Sequence, residues 1–115
     1  DDHCDAILMS ILNGKEGESY NISANNEIDN ITIVKKILQL MNKSEELIEF
    51  VEDRPGHDFR YSLDSTKITK ELGWKINTTF DEGIKNTVQW YLENPDILNN
   101  ISSTVLDSTP WKSSN

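Results

Sequence analysis

Apolar residues along this chain recur mostly at helical spacing, and the breaks between the apolar stretches are sharp. Ala6, Ile7, Leu8, Ile11 and Leu12 predict a helix over residues 2–13, with Asp2 placed to cap it and Asn13-Gly14 to end it. Val34, Ile37, Leu38 and Met41 follow the i, i+3, i+4, i+7 rule and predict a second helix over 31–41, with Asn30 as its N-cap. Asp64 heads a third that carries Ile68 and Leu72 and stops at Gly73. Thr79 and Glu82 form a T-x-x-E capping box for a fourth, whose apolar face is Ile84, Val88, Tyr91 and Leu92 and which ends before Pro95. Three short stretches suit strands instead: 18–23, with Tyr20 and Ile22 on one face, then 47–51, and 60–64.

This order reads as an α/β fold, mostly helices with a few short strands. It predicts one domain over residues 1–98 and a loosely held tail over 99–115, rich in Ser, Asn and Thr. If 18–23 and 47–51 are parallel neighbours joined by the 31–41 helix, loops 23–30 and 53–60 leave the same sheet edge. Ligands bind at such carboxyl ends, so Asn30 and Arg54 would share a site. Trp74, Trp90 and Tyr91 are expected in or beside the core, and His3, next to two acids, in solvent.

Charge narrows the functional classes. Twenty Asp and Glu against eleven Lys and Arg give a net charge of −9, whose field repels a phosphate backbone and argues against nucleic acid as a partner. No apolar run approaches the ~18 residues of a membrane span. The first residues lack the basic region of a signal peptide, and the single Cys4 makes neither an internal disulfide nor a zinc motif. A cytoplasmic protein with no membrane partner and no metal is the expectation.

Against that acidic background one stretch stands out. Both arginines of the chain, Arg54 and Arg60, and one of its two histidines, His57, lie within seven residues of "DRPGHDFRYSLD". Arg54 offers a planar fork that matches phosphate oxygens and keeps its charge at any working pH. Pro55 disfavours the helical region for Arg54, and Gly56 permits positive φ and a close backbone approach to a ligand. His57 adds a donor or acceptor, while Asp58 and Arg60 are placed to pair across the far side of the loop. The loop is therefore a candidate anion cradle; a surface turn whose arginines pair with neighbouring carboxylates fits the same residues. Asn30 is likewise explained by helix capping alone. The chain has no Gly-rich dinucleotide turn, no Walker loop and no nucleophile elbow, and no tyrosine is followed four residues later by lysine.

Taken in order and spacing, "DDHCDAI", "GESYNI", "NNEIDNITIVKKI", "DRPGHDFRYSLDSTKITKELGW" and "TFDEGIKNTVQWYLENP" resemble the C-terminal third of dTDP-glucose 4,6-dehydratases. These belong to the extended short-chain dehydrogenase/reductase superfamily, and the resemblance covers roughly residues 1–96. The K-I-x-x-E-L-G-W element is shared widely among nucleotide-sugar epimerases and dehydratases. D-R-P-G-H-D followed by Arg60-Tyr61 is more specific to the dehydratases. The sequence departs from the pattern at Phe59, where arginine is frequent, and after Asp96.

The resemblance implies a fragment: the small C-terminal substrate-binding part of an NAD-dependent nucleotide-sugar 4,6-dehydratase, with the Rossmann domain missing. It implies that Arg54 contacts the diphosphate of a dTDP- or UDP-sugar. Asp53, Pro55, Gly56 and His57 would line the nucleotide end, and Asn30, the last Asn of an N-E-x-x-N segment, would bind the same end. NAD and the catalytic residues would belong to the parent's Rossmann domain, so this chain would carry no catalytic residue. The parent would form a homodimer through regions absent here. Its reaction would oxidise the sugar C4, eliminate water across C5 and C6, and return the hydride to C6. Part of a sister epimerase or reductase, or an acidic interaction domain without enzymatic role, are the alternative readings.

Overall fold

The computed structural model describes residues 1–102 and 105. Five helices follow in order: α1 (Asp2–Asn13), α2 (Asn30–Leu40), α3 (Thr66–Leu72), α4 (Phe80–Glu93) and α5 (Pro95–Asn99), with a 3-10 turn at Glu45–Leu47. Each helix foreseen from the periodicity is present, and α5 is added where Pro95 occupies a first-turn position that tolerates its missing N–H. Most of the predicted tail lies outside the described residues.

No β-strand forms among the described residues, so the three predicted strands, at 18–23, 47–51 and 60–64, and with them the α/β sheet, are corrected, while the expected mostly helical content stands. A strand needs a neighbour to take up its backbone N–H and C=O groups. Here 18–27 meets 60–71 through side chains instead. Lys67 Nζ donates to Glu18 Oε2 at 2.6 Å, Tyr20 Oη to Glu71 Oε2 at 3.1 Å, and Asn25 Nδ2 to Ser65 Oγ at 3.0 Å. Without a sheet among the described residues, loops 23–30 and 53–60 share no sheet edge.

Two compact units make up the chain. The first comprises 1–28 and 60–83, the second 29–59 and the residues from Ile84 onward. In the first unit α1 packs on α3, and the core is Ala6, Ile68 and Trp74, with Met9, Tyr20, Ile22 and Leu72 around it. Trp74 Nε1 donates to the carbonyl of Asp2 at 3.0 Å. Asp2 was expected to cap α1. Its carboxylate instead receives the backbone N–H groups of Thr78 at 2.8 Å and Asn77 at 3.2 Å, closing a contact across the sequence. Those donors hold the Asp2 carboxyl below its ordinary range, the Thr78 N–H most of all. Only Ala6 of the expected α1 stripe is buried; Ile7, Leu8, Ile11 and Leu12 face solvent.

Helix ends follow local chemistry closely. Gly73 closes α3 in the left-handed region at φ 75°, where a Cβ is disfavoured. Asp64 Oδ1 accepts from Thr66 N–H at 2.8 Å at the head of that helix, because the hydroxyl of the intervening Ser65 is buried and occupied by Asn25. The foreseen capping box is formed: Glu82 N–H donates to Thr79 Oγ1 at 3.3 Å, and Thr79 N–H to Glu82 Oε2 at 3.0 Å.

The second unit contains no buried residue among those described. Ile37 and Leu38 of α2 are half-buried, Val34 and Met41 exposed. Trp90 and Tyr91, foreseen at the core or its edge, stack edge to face at 5.1 Å and stay 47% and 40% exposed. The cap of α2 is also corrected. Asp29, not Asn30, occupies that position in extended conformation, its Oδ1 accepting from Thr32 N–H at 2.7 Å. Asn30 already belongs to the helix.

Candidate anion-binding loop

The loop 53–57 is organised by its own residues. Arg54 C=O accepts from His57 N–H at 3.3 Å, with Pro55 and Gly56 between them and Gly56 at φ 70°. Proline second and a positive-φ glycine third is the pattern of a type II turn. No atom lies within 4 Å of a Cβ built at Gly56, so backbone conformation alone demands glycine there.

Asp53 closes the turn from behind. Its Oδ1 accepts from the backbone N–H of Arg54 at 2.8 Å and from His57 Nδ1 at 2.6 Å. An ionised carboxylate only accepts, so Nδ1 carries the proton in this bond. His57 is the main cause of an Asp53 carboxyl held below its usual range, followed by opposition from burial and then help from the Arg54 N–H. Backbone and imidazole are thus fixed on one side of the turn, and the Arg54 side chain is exposed.

The two arginines have different fates. Arg60 Nη2 donates to Glu27 Oε1 at 2.6 Å, and Ser62 Oγ donates to the same oxygen at 2.5 Å. The expected Asp58–Arg60 arrangement is replaced by this pair. Glu27 is held below its ordinary value, chiefly by the Arg60 hydrogen bond, and Arg60 is raised by the same bond. Among the described residues no carboxylate lies within ion-pair distance of Arg54.

Sequence-predicted residues Asp53, Arg54, Pro55, Gly56 and His57 therefore form one turn. Asn30 lies in the same unit at the head of α2, with no hydrogen bond linking it to that turn. Glu27 was given no role from the sequence, although it is the Glu of the N-E-x-x-N segment that ends at Asn30. A groove of about 300 Å³ in the first unit, beside Ile7, Ile11 and Tyr20, contains none of the predicted residues.

The fit to NAD can be judged from the helix ends, where a pyrophosphate is ordinarily held. Here α1 carries Asp2 and Asp5 in its first turn, α2 is capped by Asp29, α3 has Ser65 at its N-cap with the Asp64 carboxylate accepting from Thr66 N–H, and α4 carries Asp81 and Glu82. Those carboxylates disfavour a second anion at the same helix ends. Among the described residues no helix is long and apolar enough to cross a membrane, and no cluster of His, Cys, Asp and Glu would hold a metal.

Comparison with known proteins matches these features to one group. The family model for GDP-mannose 4,6 dehydratase matches residues 1–87. A dTDP-glucose 4,6-dehydratase of Salmonella typhimurium is 44% identical over 115 aligned positions, covering 94% of this chain and 32% of its own length. A probable dTDP-glucose 4,6-dehydratase of Sinorhizobium fredii is 46% identical over 82% of the chain and 29% of its own length. The chain thus spans about three tenths of the curated relatives it matches. Among solved structures, dTDP-glucose 4,6-dehydratase of Bacillus anthracis in complex with NAD aligns with a TM-score of 0.77 at 42% identity, covering 83% of this chain and 30% of that one. The Streptomyces venezuelae enzyme with NAD and TYD bound aligns at 0.78 and 39% identity, over 82% and 29%. The match over residues 1–87 and the identities near 44% converge, and the chain belongs to the GDP-mannose 4,6 dehydratase family, with dTDP-glucose 4,6-dehydratases as its relatives.

Proposed function

We propose that this chain is the sugar-nucleotide-binding part of a nucleotide-sugar 4,6-dehydratase, and that Arg54 holds the ligand's diphosphate. The observation that carries the reading is the turn itself. It fixes Arg54 by a hydrogen bond at each end of the turn and leaves its guanidinium in no ion pair among the described residues, with the Asp53 carboxylate as a neighbouring charge, whereas Arg60 is paired with Glu27. An exposed fork of donors suits the two oxygens of a phosphate. Asn30 and His57 act at the nucleotide end, the imidazole being held by Asp53 in the tautomer that donates from Nδ1.

In the parent enzyme the sugar C4 is oxidised, water is eliminated across C5 and C6, and the hydride is returned to C6. This chain's contribution is to bind and orient the sugar nucleotide. NAD would supply the hydride chemistry, and the residues of this chain act on the sugar nucleotide.

Titration of the 115-residue chain with dTDP and UDP, wild type against Arg54→Ala, tests the reading. Charge-assisted hydrogen bonds contribute about 1.5–3 kcal/mol, so the alanine variant should bind about tenfold or more weakly. Arg54→Lys should recover little, because an ammonium lacks the fork. Equal affinity in wild type and Arg54→Ala would return the loop to a surface turn.

A further inference from the structure

The chain leaves its first unit after Ile28 and re-enters it at Arg60. At that crossing three side-chain bonds join the outgoing and returning segments. Asn25 Nδ2 donates to Ser65 Oγ at 3.0 Å, and Glu27 Oε1 receives Ser62 Oγ at 2.5 Å and Arg60 Nη2 at 2.6 Å. The order is antiparallel, 25 opposite 65 and 27 opposite 62 and 60. One end is anchored: Ser65 is 2% exposed and precedes the core helix α3. Asn25 reaches it from φ 51°, a conformation that asparagine tolerates better than most residues.

The other end of this row is close in sequence to both predicted ligand-binding stretches. Asn30 is three residues beyond Glu27, and His57 three residues before Arg60. Three residues span at most about 10 Å, so bonding Glu27 to Arg60 limits how far Asn30 and the Arg54 turn can separate. We propose that Glu27 and Arg60 are positioning residues, a clasp at the base of the 29–59 excursion that keeps Arg54 and Asn30 within reach of one sugar-nucleotide diphosphate. The inference rests on the ligand role proposed for Arg54. It assigns Arg60 a different task from Arg54: its charge is spent on Glu27 and does not meet the ligand.

The test compares Glu27→Ala, Arg60→Ala and the exchange Glu27→Arg/Arg60→Glu in the 115-residue chain. Two quantities are read: dTDP affinity, and backbone order at residues 53–57 by nitrogen-15 relaxation. A clasp requires both single variants to lower the order at 53–57 and to weaken dTDP binding about threefold to tenfold, with the exchange restoring both. All these side chains are solvent-exposed, so the melting temperature should barely move. If Arg60 met the phosphate directly, Glu27→Ala would leave affinity unchanged or tighten it, and the exchange would not rescue; either result overturns the clasp. Should Arg54→Ala leave dTDP affinity unaltered, the ligand reading fails by itself, and the relaxation data still decide: unchanged order at 53–57 in Glu27→Ala overturns the clasp as well.

Discussion

The two units of this chain divide burial and exposure unevenly. The unit built from 1–28 and 60–83 holds every buried residue among those described, namely Ala6, Ser65, Ile68 and Trp74. The unit built from 29–59 and the chain beyond 84 holds none, yet it carries Asn30 and the whole Arg54 turn. Stability is concentrated in one and the candidate chemistry in the other. Such a division is physically reasonable, because apolar burial supplies most of the driving force for folding, while an anion site must keep its guanidinium accessible.

The division is broken most directly in the core. Ile68→Ala removes a fully buried side chain and should cost about 2–5 kcal/mol, read as a large loss in a urea or thermal melt. Ile37→Ala in α2, where the side chain is only half-buried, should cost under about 2 kcal/mol. If the two losses were equal, or reversed, the second unit would be packed as tightly as the first.

The caps sharpen the comparison at smaller scale. Asp29→Ala should destabilise α2 by about 1 kcal/mol, whereas Asn30→Asp should leave the melting temperature unchanged and weaken dTDP binding, since it sets a negative charge beside a dianion. Melting curves and titrations on the two variants separate capping from ligand contact at adjacent positions. Dependence of Asn30→Asp stability on the new charge, with binding intact, would make Asn30 a helix residue and nothing more.

Much of this was legible in the sequence. Helix periods, the Thr79–Glu82 box and the Gly73 stop are local chemistry, and all appear as read. Gly56, a glycine after proline, takes the positive φ that its sequence position predicts. What failed was long-range pairing. Residues 18–23 and 60–64 alternate well enough for strands, but nothing in either segment states that its partner will be joined through side chains rather than a backbone ladder. The α1 stripe was misjudged for a related reason: five apolar residues wind around the helix, and only the partner α3 decides that Ala6 faces inward. The outward Ile11 and Leu12, 74% and 68% exposed, form apolar surface that should promote association of the isolated chain at high concentration, readable by sedimentation. Arg60 and Glu27 lie 33 positions apart, and their pairing had no local signal.

The smallest effect per group is expected from acid. Asp2, Glu18, Glu27, Asp64 and Glu82 in the first unit, and Asp29 and Asp53 in the second, are all held below their ordinary range by hydrogen-bond donors. A carboxylate depressed in the folded state adds stability above its unfolded pKa and loses it as pH falls through the folded value. Stability should therefore be level from neutrality down to about pH 5 and decline below about pH 4. Five of the seven groups lie in the first unit, so chemical shifts around Asn77 and Thr78, which donate to Asp2, should move in that decline. A loss of stability on raising the pH from 5 to 7 would contradict the assignment.

Backbone amide mapping of dTDP on the nitrogen-15-labelled chain tests the central claim most directly. Progressive addition of the nucleotide should shift the amides of Arg54, Gly56 and His57 most, with Asn30 next, and the shifts should vanish in Arg54→Ala. Shifts confined to the groove beside Ile7, Ile11 and Tyr20, or an unchanged pattern in Arg54→Ala, would contradict it.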